Sequence, residues 1–267
     1  MNTPDTEITS NGIIVIQSLK ETEKKTGDEL HDDILRYKKY LHEDTFVQMY
    51  NVSTVSEFTE RVKSIENSMT EGMMFTLHLE THGSDEGIYL SSGEYVTWKL
   101  FFDAIGPINI KMCNLLVVTM AMCKGGAILS YIEPEKRAPY LVFVASHRDL
   151  TVDEVSRGFS AFYNEYTRQL DITKGMDALT LEIDGTSPKK YTIWRFTSEE
   201  VFDLTFNPDR DPENFKLIVE RQLANHKARG EAHYTLKKVE KNIRMILKET
   251  TDKYKDYYCF KDILGSN

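Results

Sequence analysis

The chain has 267 residues, of which 40% are hydrophobic, and this size and composition allow a substantial buried core and exclude disorder as the main state. It carries 42 acidic and 33 basic residues, a formal net charge of −9, and such a field repels phosphate backbones and anionic membrane surfaces. We therefore expect neither nucleic acid nor a membrane as a direct partner.

The N-terminal sequence MNTPDTEITSNG has no basic segment followed by an apolar one, and apolar runs such as residues 115–118 are far too short to cross a membrane. This pattern predicts a cytoplasmic protein in which residues 1–11 form a polar leader. Cys113, Cys123 and Cys259 are an odd number of cysteines without zinc-type spacing, which argues against a disulfide framework and against a structural metal. We expect no cofactor.

The first part of the chain alternates between strand and helix patterns. Short β-branched or apolar runs predict strands at residues 12–16, 46–50 and 73–79. Between the first two, a helical spacing predicts a helix with Leu30, Ile34, Tyr37 and Leu41 on one face. A capping box predicts the start of a second helix at Thr54 and Glu57, and the apolar face of that helix comprises Val55, Phe58, Val62, Ile65 and Met69.

The alternation continues after a polar segment, residues 84–94, which predicts a loop or a hairpin. An aromatic stripe around Trp98 and Phe101 predicts a helix that Gly106-Pro107 should end. Strands at 114–120, 140–145 and 191–196 are then separated by a helix at 125–132 and by a helix capped by Thr151. This order predicts an α/β fold, a three-layer sandwich around a mostly parallel sheet.

The character of the sequence changes after residue 196. A polar stretch, PDRDPEN, precedes a helix start at Asp211-Pro212, and the spacing of Leu236, Val239, Ile243 and Ile246 predicts a long charged helix. We treat residues 197–267 as a C-terminal helical extension. Two interpretations stay open for it, a layer packed on the preceding domain or a docking surface for a partner.

Two of the predicted strands end in residues with acid–base or nucleophilic chemistry. One strand leads to His82-Gly83, and the other to Cys123, Lys124 and two glycines. In α/β sheets, ligands meet the carboxyl ends of the strands. Cys123 is expected to begin a helix, whose dipole together with Lys124 would lower the pKa of its thiol. The alternative is that Cys123 is only a small buried hydrophobic residue.

The order of these motifs resembles that of the caspase-like cysteine proteases. Their signature places a histidine upstream of Gln-Ala-Cys-x-Gly, and here AMCKG at 121–125 follows His82 by 41 residues. The sequences LHLETHG (77–83) and LVVTMAMCKGG (116–126) are similar to the corresponding runs of the CHAT branch of this family. The similarity extends over residues 12–196, where FSAFYNEYTRQL and the helix predicted after it match the same branch.

The resemblance implies a caspase-like domain over residues 12–196 and a cysteine endopeptidase without a cofactor. Cys123 would be the nucleophile, His82 the proton donor and acceptor, and the N–H groups of Gly83 and Cys123 the oxyanion donors. His78 and Glu80 would support His82 from beneath. Small bacterial proteins of this kind often act in cell-death or antiviral circuits, cleaving partners such as gasdermins. The alternative function is an inactive, CHAT-like binding module that acts through its C-terminal helices.

Substrate preference is the least determined property. Caspases that cut after aspartate have a glutamine two residues before the cysteine and an arginine after the first strand, whereas this chain has Ala121 and the neutral residues 17–19. The resemblance implies a pocket formed by Ala121, Met122, Ala145, Ser146 and Asp149. Asp149 could select a basic side chain, while the alanines and Met122 would suit an apolar one equally well.

A metal site was also considered, because His78, Glu80 and His82 alternate along a strand and would share one face. Their spacing is not that of the usual helical zinc motif, and no fourth ligand is apparent, so we predict no metal. Residues 133–139, between the cysteine segment and the next strand, are too few for an exposed processing loop. We therefore predict a single uncut chain, gated if at all by ordering of residues 84–94 or by a regulatory protein on the C-terminal helices.

Overall fold

The structure, a computed structural model, describes residues 10–40, 45–186 and 192–264. Residues 1–9 of the predicted leader, Leu41 and residue 191 thus lie outside the described residues. The described residues form two compact units. The first runs to Tyr131 and resumes from Pro139 to Thr197, and the second comprises Ile132–Ala138 and the chain from Ser198 onwards.

The first unit contains the strands and most of the predicted helices. Its strands are β1 Ser10–Gln17, β2 Thr45–Asn51, β3 Met73–Glu80, β4 His82–Gly83, β5 Gly87–Tyr89, β6 Tyr95–Thr97, β7 Val117–Ala121, β8 Val142–Ser146 and β9 Ile193–Thr197. Its helices are α1 Thr26–Asp33, α2 Val55–Ser68, α3 Trp98–Lys111, α4 Val152–Gln169 and α5 Ile172–Asp184, with 3₁₀ helices at Leu35–Tyr40 and Gly125–Ser130.

A six-stranded sheet with the order β2-β1-β3-β7-β8-β9 forms the centre of this unit. All neighbouring pairs are parallel except β8 and β9, which are antiparallel. Side chains alternate between the two faces of a strand. On β8, Val144 packs into the cluster that contains Phe159 of α4, whereas Phe143 contacts Tyr140, which contacts Phe102 of α3. Helices therefore cover both faces, and the predicted three-layer, mostly parallel α/β architecture is confirmed.

Local signals placed the helix starts correctly. Thr54 accepts a hydrogen bond from the Glu57 N–H at the start of α2, and Thr151 and Glu154 form the complete capping box of α4. The predicted first helix is instead divided, because α1 ends at Asp33 and a 3₁₀ helix follows. Leu30 and Leu35 are both buried. Residues five apart lie on different sides of an α-helix, so a change of helix geometry lets both face the core.

Two other helix predictions were partly wrong, one in where the helix ends and one in the type of helix. Helix α3 continues through Pro107 to Lys111, because Ile105 and Ile108 on either side of the proline are fully buried and this packing outweighs the lost hydrogen bond. The helix predicted at 125–132 is a six-residue 3₁₀ helix that follows Lys124 in the left-handed region (φ 52°). A methyl group at Gly126 would lie 3.0 Å from the Trp194 ring, so the chain packs too closely there for larger residues.

The polar segment 84–94, predicted as a loop or a hairpin, contains strand β5, which pairs with strands on both of its sides. Strands β4, β5 and β6 form a small antiparallel sheet in which His82 lies opposite Tyr89 and Gly83 opposite Ile88. The sheet attaches the residues that follow the His-bearing strand β3 to the N-terminus of α3.

The second unit is helical. Its helices are α6 Ser198–Phe206, α7 Pro212–Ala228, α8 Leu236–Tyr258 and α9 Lys261–Leu264, and Asp211 caps α7 as predicted. One small core holds Phe215, Val219 and Val239. A second core joins Ala138 to residues of α6 and the C-terminal end of α8. In the described parts of the chain, no helix is both long enough and apolar enough to cross a membrane.

Candidate active site

The two strands that carry the candidate residues are neighbours. Strands β3 and β7 pair in parallel up to Glu80 opposite Ala121, so the chain leaves both strands at the same edge of the sheet. His82 and Cys123 follow within two residues and line one open cleft of about 250 Å³. The remaining lining residues of this cleft are Leu19, Glu23, Lys24, Thr26, Glu80, Thr81, Ala121, Met122, Leu150, Val152 and Val155.

Gly83 brings the two strand ends into direct contact. A methyl group at this position would lie 2.1 Å from the carbonyl oxygen of Cys123 and 3.0 Å from Sδ of Met122. Only glycine permits this approach without displacing the backbone around the cysteine. The histidine-glycine motif is thus explained by packing, which places His82 and Cys123 on adjacent segments.

The orientation of Gly83 follows from the small sheet. The Ser84 N–H donates to the Gly87 carbonyl at 2.8 Å. Hydrogen-bonded and non-hydrogen-bonded pairs alternate along an antiparallel ladder, so the next pair, Gly83 and Ile88, is of the non-hydrogen-bonded kind. The Gly83 N–H therefore points away from β5, and its role as an oxyanion donor stays a prediction.

His82 has a partner that the sequence did not indicate. Its Nε2 lies 3.0 Å from Oε1 of Glu23, in the loop after β1. Burial alone would raise the pKa of the Glu23 carboxyl. Hydrogen bonds from the Lys20 N–H and the His82 ring outweigh this effect, so the pKa of Glu23 is lowered. With Nε2 engaged by this carboxylate, Nδ1 of His82 is the ring nitrogen available to a reacting group. Glu23 lies in the charged run KETEKK, where nothing distinguishes it from solvated surface residues.

Cys123 is held by the loop that follows β8. The Leu150 N–H donates to Sγ of Cys123 at 3.4 Å, and Sγ lies 3.8 Å from the Leu150 carbonyl oxygen. The predicted contribution of an α-helix dipole is absent, because the 3₁₀ helix after Lys124 is too short and begins from a left-handed residue. The side chain of Lys124 faces Asp85 at 3.7 Å.

The loop that contacts Cys123 is itself fixed by an ion pair. Arg148 donates two hydrogen bonds to the carboxylate of Glu154, at 2.6 and 3.2 Å. Its guanidinium, followed by the Thr151 backbone, lowers the pKa of Glu154 to about 2 against the effect of burial. The pair is therefore ionised throughout the neutral range, and the Arg148 carbonyl accepts from the Lys124 N–H at 3.2 Å.

His78 and Glu80, which were expected to support His82, belong to a hydrogen-bonded network next to the cleft, and Glu80 is one of the lining residues. His78 is fully buried, with Nδ1 2.7 Å from Oγ1 of Thr119 and Nε2 3.1 Å from Oε1 of Glu80. The second carboxylate oxygen of Glu80 accepts from Oγ1 of Thr26 at 2.7 Å. Thr119 in turn contacts the hydroxyl of Tyr163 at 2.8 Å. The network connects the cleft to helix α4, and it contains no direct contact with His82.

The residues predicted to form the substrate pocket separate into two groups. Ala121 and Met122 line the cleft. Ala145 and Ser146 are fully buried within β8, where Ser146 donates to the Arg148 carbonyl, and the side chain of Asp149 is exposed outside the cleft lining. The apolar wall is supplied instead by residues that the sequence analysis did not select, namely Leu19, Leu150, Val152 and Val155.

The alternating residues considered as metal ligands are engaged elsewhere. Strand β3 ends at Glu80, so His82 belongs to β4 and bonds Glu23, while His78 and Glu80 bond each other. Among the described residues, no group of three or more histidine, cysteine, aspartate or glutamate side chains has an arrangement that could hold a metal ion.

The sequence and the backbone were compared with known proteins. No family model matches the sequence, and no curated protein matches it. Among solved structures, the chain is similar to the Drosophila initiator caspase Dronc, with 13% identity, a TM-score of 0.48, and coverage of 74% of this chain and 87% of that chain. A likeness at this level concerns the course of the backbone and gives no information about activity or about individual residues.

Proposed function

We propose that this chain is a caspase-like cysteine endopeptidase that cleaves a protein partner through Cys123 and His82. The observation that supports it most strongly is the placement of both side chains in one cleft, at the ends of adjacent parallel strands whose backbones meet at Gly83. Burial alone would explain a cysteine at a strand end. It would not explain a half-exposed histidine beside it, held by a carboxylate.

The proposed reaction has two stages. The Cys123 thiolate attacks the scissile carbonyl carbon, a C–S bond forms, and the oxyanion is held by the N–H groups of Gly83 and Cys123. Protonated His82 gives its proton to the leaving amine as the C–N bond breaks, which leaves a thioester. His82 then takes a proton from water, the resulting hydroxide attacks the thioester, and the thiolate departs as the carboxylic acid product forms. Glu23 orients the imidazole through Nε2.

The biological setting is a more distant part of the proposal. We place the chain in the cytoplasm, in a bacterial cell-death or antiviral pathway such as gasdermin activation, on the similarity of its motifs to the CHAT branch. An inactive binding module is the second candidate. Apolar side chains exposed on the second unit favour it, namely Leu217 and Ile218 on α7 and Met245 and Ile246 on α8.

Covalent labelling separates the two candidates. We expect a set of peptide acyloxymethyl ketones with varied residues before the ketone to modify the intact protein once, at Cys123, because a peptide seated in the cleft presents its carbon to Sγ. Peptide mapping by mass spectrometry locates the label. Cys113→Ala is the matched control, since it removes another partly exposed thiol outside the cleft lining, and it should label as the wild type does. Labelling of Cys113 instead, or of neither residue, would favour the binding module.

The activation prediction concerns residues 132–138. This segment belongs to the second unit, where the Ala138 N–H donates to the Tyr258 carbonyl at 3.0 Å and Arg137 forms a two-pronged ion pair with Asp262. Proteolysis needs an accessible, extended segment, so these bonds oppose cleavage there. We expect intact-mass spectrometry of the active enzyme to give one uncut chain. A strict requirement for a cut between Cys123 and Tyr140 would refute this prediction.

A further inference from the structure

The cleft has a carboxylate at its floor that the proposed reaction does not use. Glu80 is 2% exposed, yet it lines the cleft beside Thr26 and Cys123. Its two oxygens accept one hydrogen bond each, from Nε2 of His78 and from Oγ1 of Thr26. A carboxylate oxygen has room for more than one donor, so both oxygens of Glu80 keep acceptor capacity for a further donor.

The buried network beside Glu80 has an assignment of hydrogen bonds in which Nε2 of His78 donates to the carboxylate. Burial raises the pKa of the Tyr163 hydroxyl well above its ordinary value, so it keeps its proton and must donate it. Among the described residues, the hydroxyl partner in reach is Oγ1 of Thr119, which then donates its own proton to Nδ1 of His78. Nδ1 is an acceptor in this arrangement, and Nε2–H donates to Glu80. In this assignment each of the four side chains has a hydrogen-bond partner.

The other charges around the cleft are paired within the protein. Glu23 is engaged by His82, and Nζ of Lys24 lies 3.1 Å from the carboxylate of Glu29. Glu80 is thus the carboxylate of the cleft that no cationic side chain of the described residues offsets. Apolar residues line the same cleft, namely Leu19, Ala121, Met122, Leu150, Val152 and Val155.

A buried carboxylate in a cleft with apolar lining matches a long aliphatic side chain that carries a positive head group. We propose that Glu80 is the specificity-determining residue of the cleft, and that it selects arginine or lysine as the residue whose carbonyl Cys123 attacks. This inference rests on the proposed protease function. It replaces the exposed Asp149 by a residue two positions before His82, and it excludes substrates with an acidic residue at that position, because two like charges would meet without water.

Peptide hydrolysis tests the proposal directly. Matched fluorogenic peptides would differ only in the residue before the scissile bond, which would be arginine, lysine, norleucine, glutamine or aspartate. Norleucine keeps the length of lysine without its charge, so the comparison isolates the head group. We expect kcat/KM for arginine and lysine to exceed that for norleucine by roughly 100-fold, since the uncharged chain leaves Glu80 buried without a counter-ion. Equal rates, or a preference for norleucine or aspartate, would overturn the proposal.

Glu80→Gln is the informative variant, because the amide keeps the shape of the side chain and removes its charge. We expect it to lose most of the advantage of arginine over norleucine. Glu60→Gln removes one negative charge from an exposed position on α2 and serves as the matched control, which should keep the wild-type preference. Thermal unfolding of both variants shows whether the network around His78 survives. An unchanged arginine preference in folded Glu80→Gln would overturn the assignment.

A binding experiment tests the site without any turnover. Butylguanidinium should bind Cys123→Ala protein in calorimetric titration, n-pentanol should not, and Glu80→Gln in the same background should abolish the binding. If no peptide is cleaved but this binding is found, the cationic site stands and the protease function fails. If peptides are cleaved and butylguanidinium does not bind, the protease function stands and the role of Glu80 is refuted.

Discussion

Cys123→Ala is expected to lower peptide hydrolysis by about 10⁴-fold or more while the protein stays folded. The variant removes the atom that forms the covalent intermediate, and the remaining groups can only bind the substrate. Its cost in stability should be about 1 kcal/mol, because Sγ makes only long contacts with the backbone of Leu150. The measurements are kcat/KM with the best peptide and a thermal unfolding curve.

The three thiols supply an internal control for this result. Burial raises the pKa of the Cys259 thiol to about 12, so that residue should react with iodoacetamide very slowly at neutral pH. Cys113 and Cys123 are both partly exposed, but among the described residues only Cys123 has a backbone N–H donated to its sulfur. We expect Cys123 to react first, and inactivation to follow its modification. Equal rates at Cys113 and Cys123, or inactivation that follows Cys113, would contradict the assignment of the nucleophile.

The parts of the fold that could be predicted are those encoded locally. Residues 73–79 form a strand because apolar and β-branched side chains follow one another there, and Thr54 and Thr151 begin helices because their hydroxyls accept from the backbone three residues on. The neighbouring positions of His82 and Cys123 follow from the same kind of information, since parallel strands deliver their carboxyl ends to one edge.

Features that depend on tertiary packing were missed. Pro107 should end a helix by its own chemistry, but burial of the residues around it carries α3 onward. Cys123 was expected at an α-helix N-terminus, but the segment after Lys124 is a 3₁₀ helix in which Gly126 packs closely on Trp194. Periodicity and propensity describe a segment alone, so they cannot contain such contacts.

The lining of the cleft was the least predictable part of the site. Glu23 is one of several charged residues in its loop, and only its distance of 3.0 Å from His82 distinguishes it. Asp149 and Glu80 are both carboxylates near a strand end, yet Asp149 faces solvent while Glu80 faces the cleft. The course of the backbone determines which of the two carboxylates faces the cleft, and the spacing of residue types does not encode that course.

The two histidines of β3 and β4 should respond to alanine in opposite ways. The side chain of His82 is half exposed, and among the described residues its one hydrogen-bond partner is Glu23. His82→Ala should therefore leave stability nearly unchanged and lower kcat/KM by about 10³-fold, the usual contribution of a general acid–base group. His78 is fully buried between Thr119 and Glu80 and packs on the ring of Phe159. His78→Ala should therefore cost about 3 kcal/mol of unfolding free energy, because it leaves a cavity and unsatisfied buried groups.

Chemical denaturation and peptide hydrolysis of both variants decide the assignment. His78→Gln is the matched control, because its amide can still donate to Glu80 and fills most of the cavity, and it should recover part of the lost stability. For His78→Ala we expect activity in the folded fraction to fall less than in His82→Ala, since His78 reaches the cleft only through Glu80. A stable His78→Ala without activity, together with an active His82→Ala, would mean that the proton donor is the buried histidine and that the chemistry proposed for His82 is wrong.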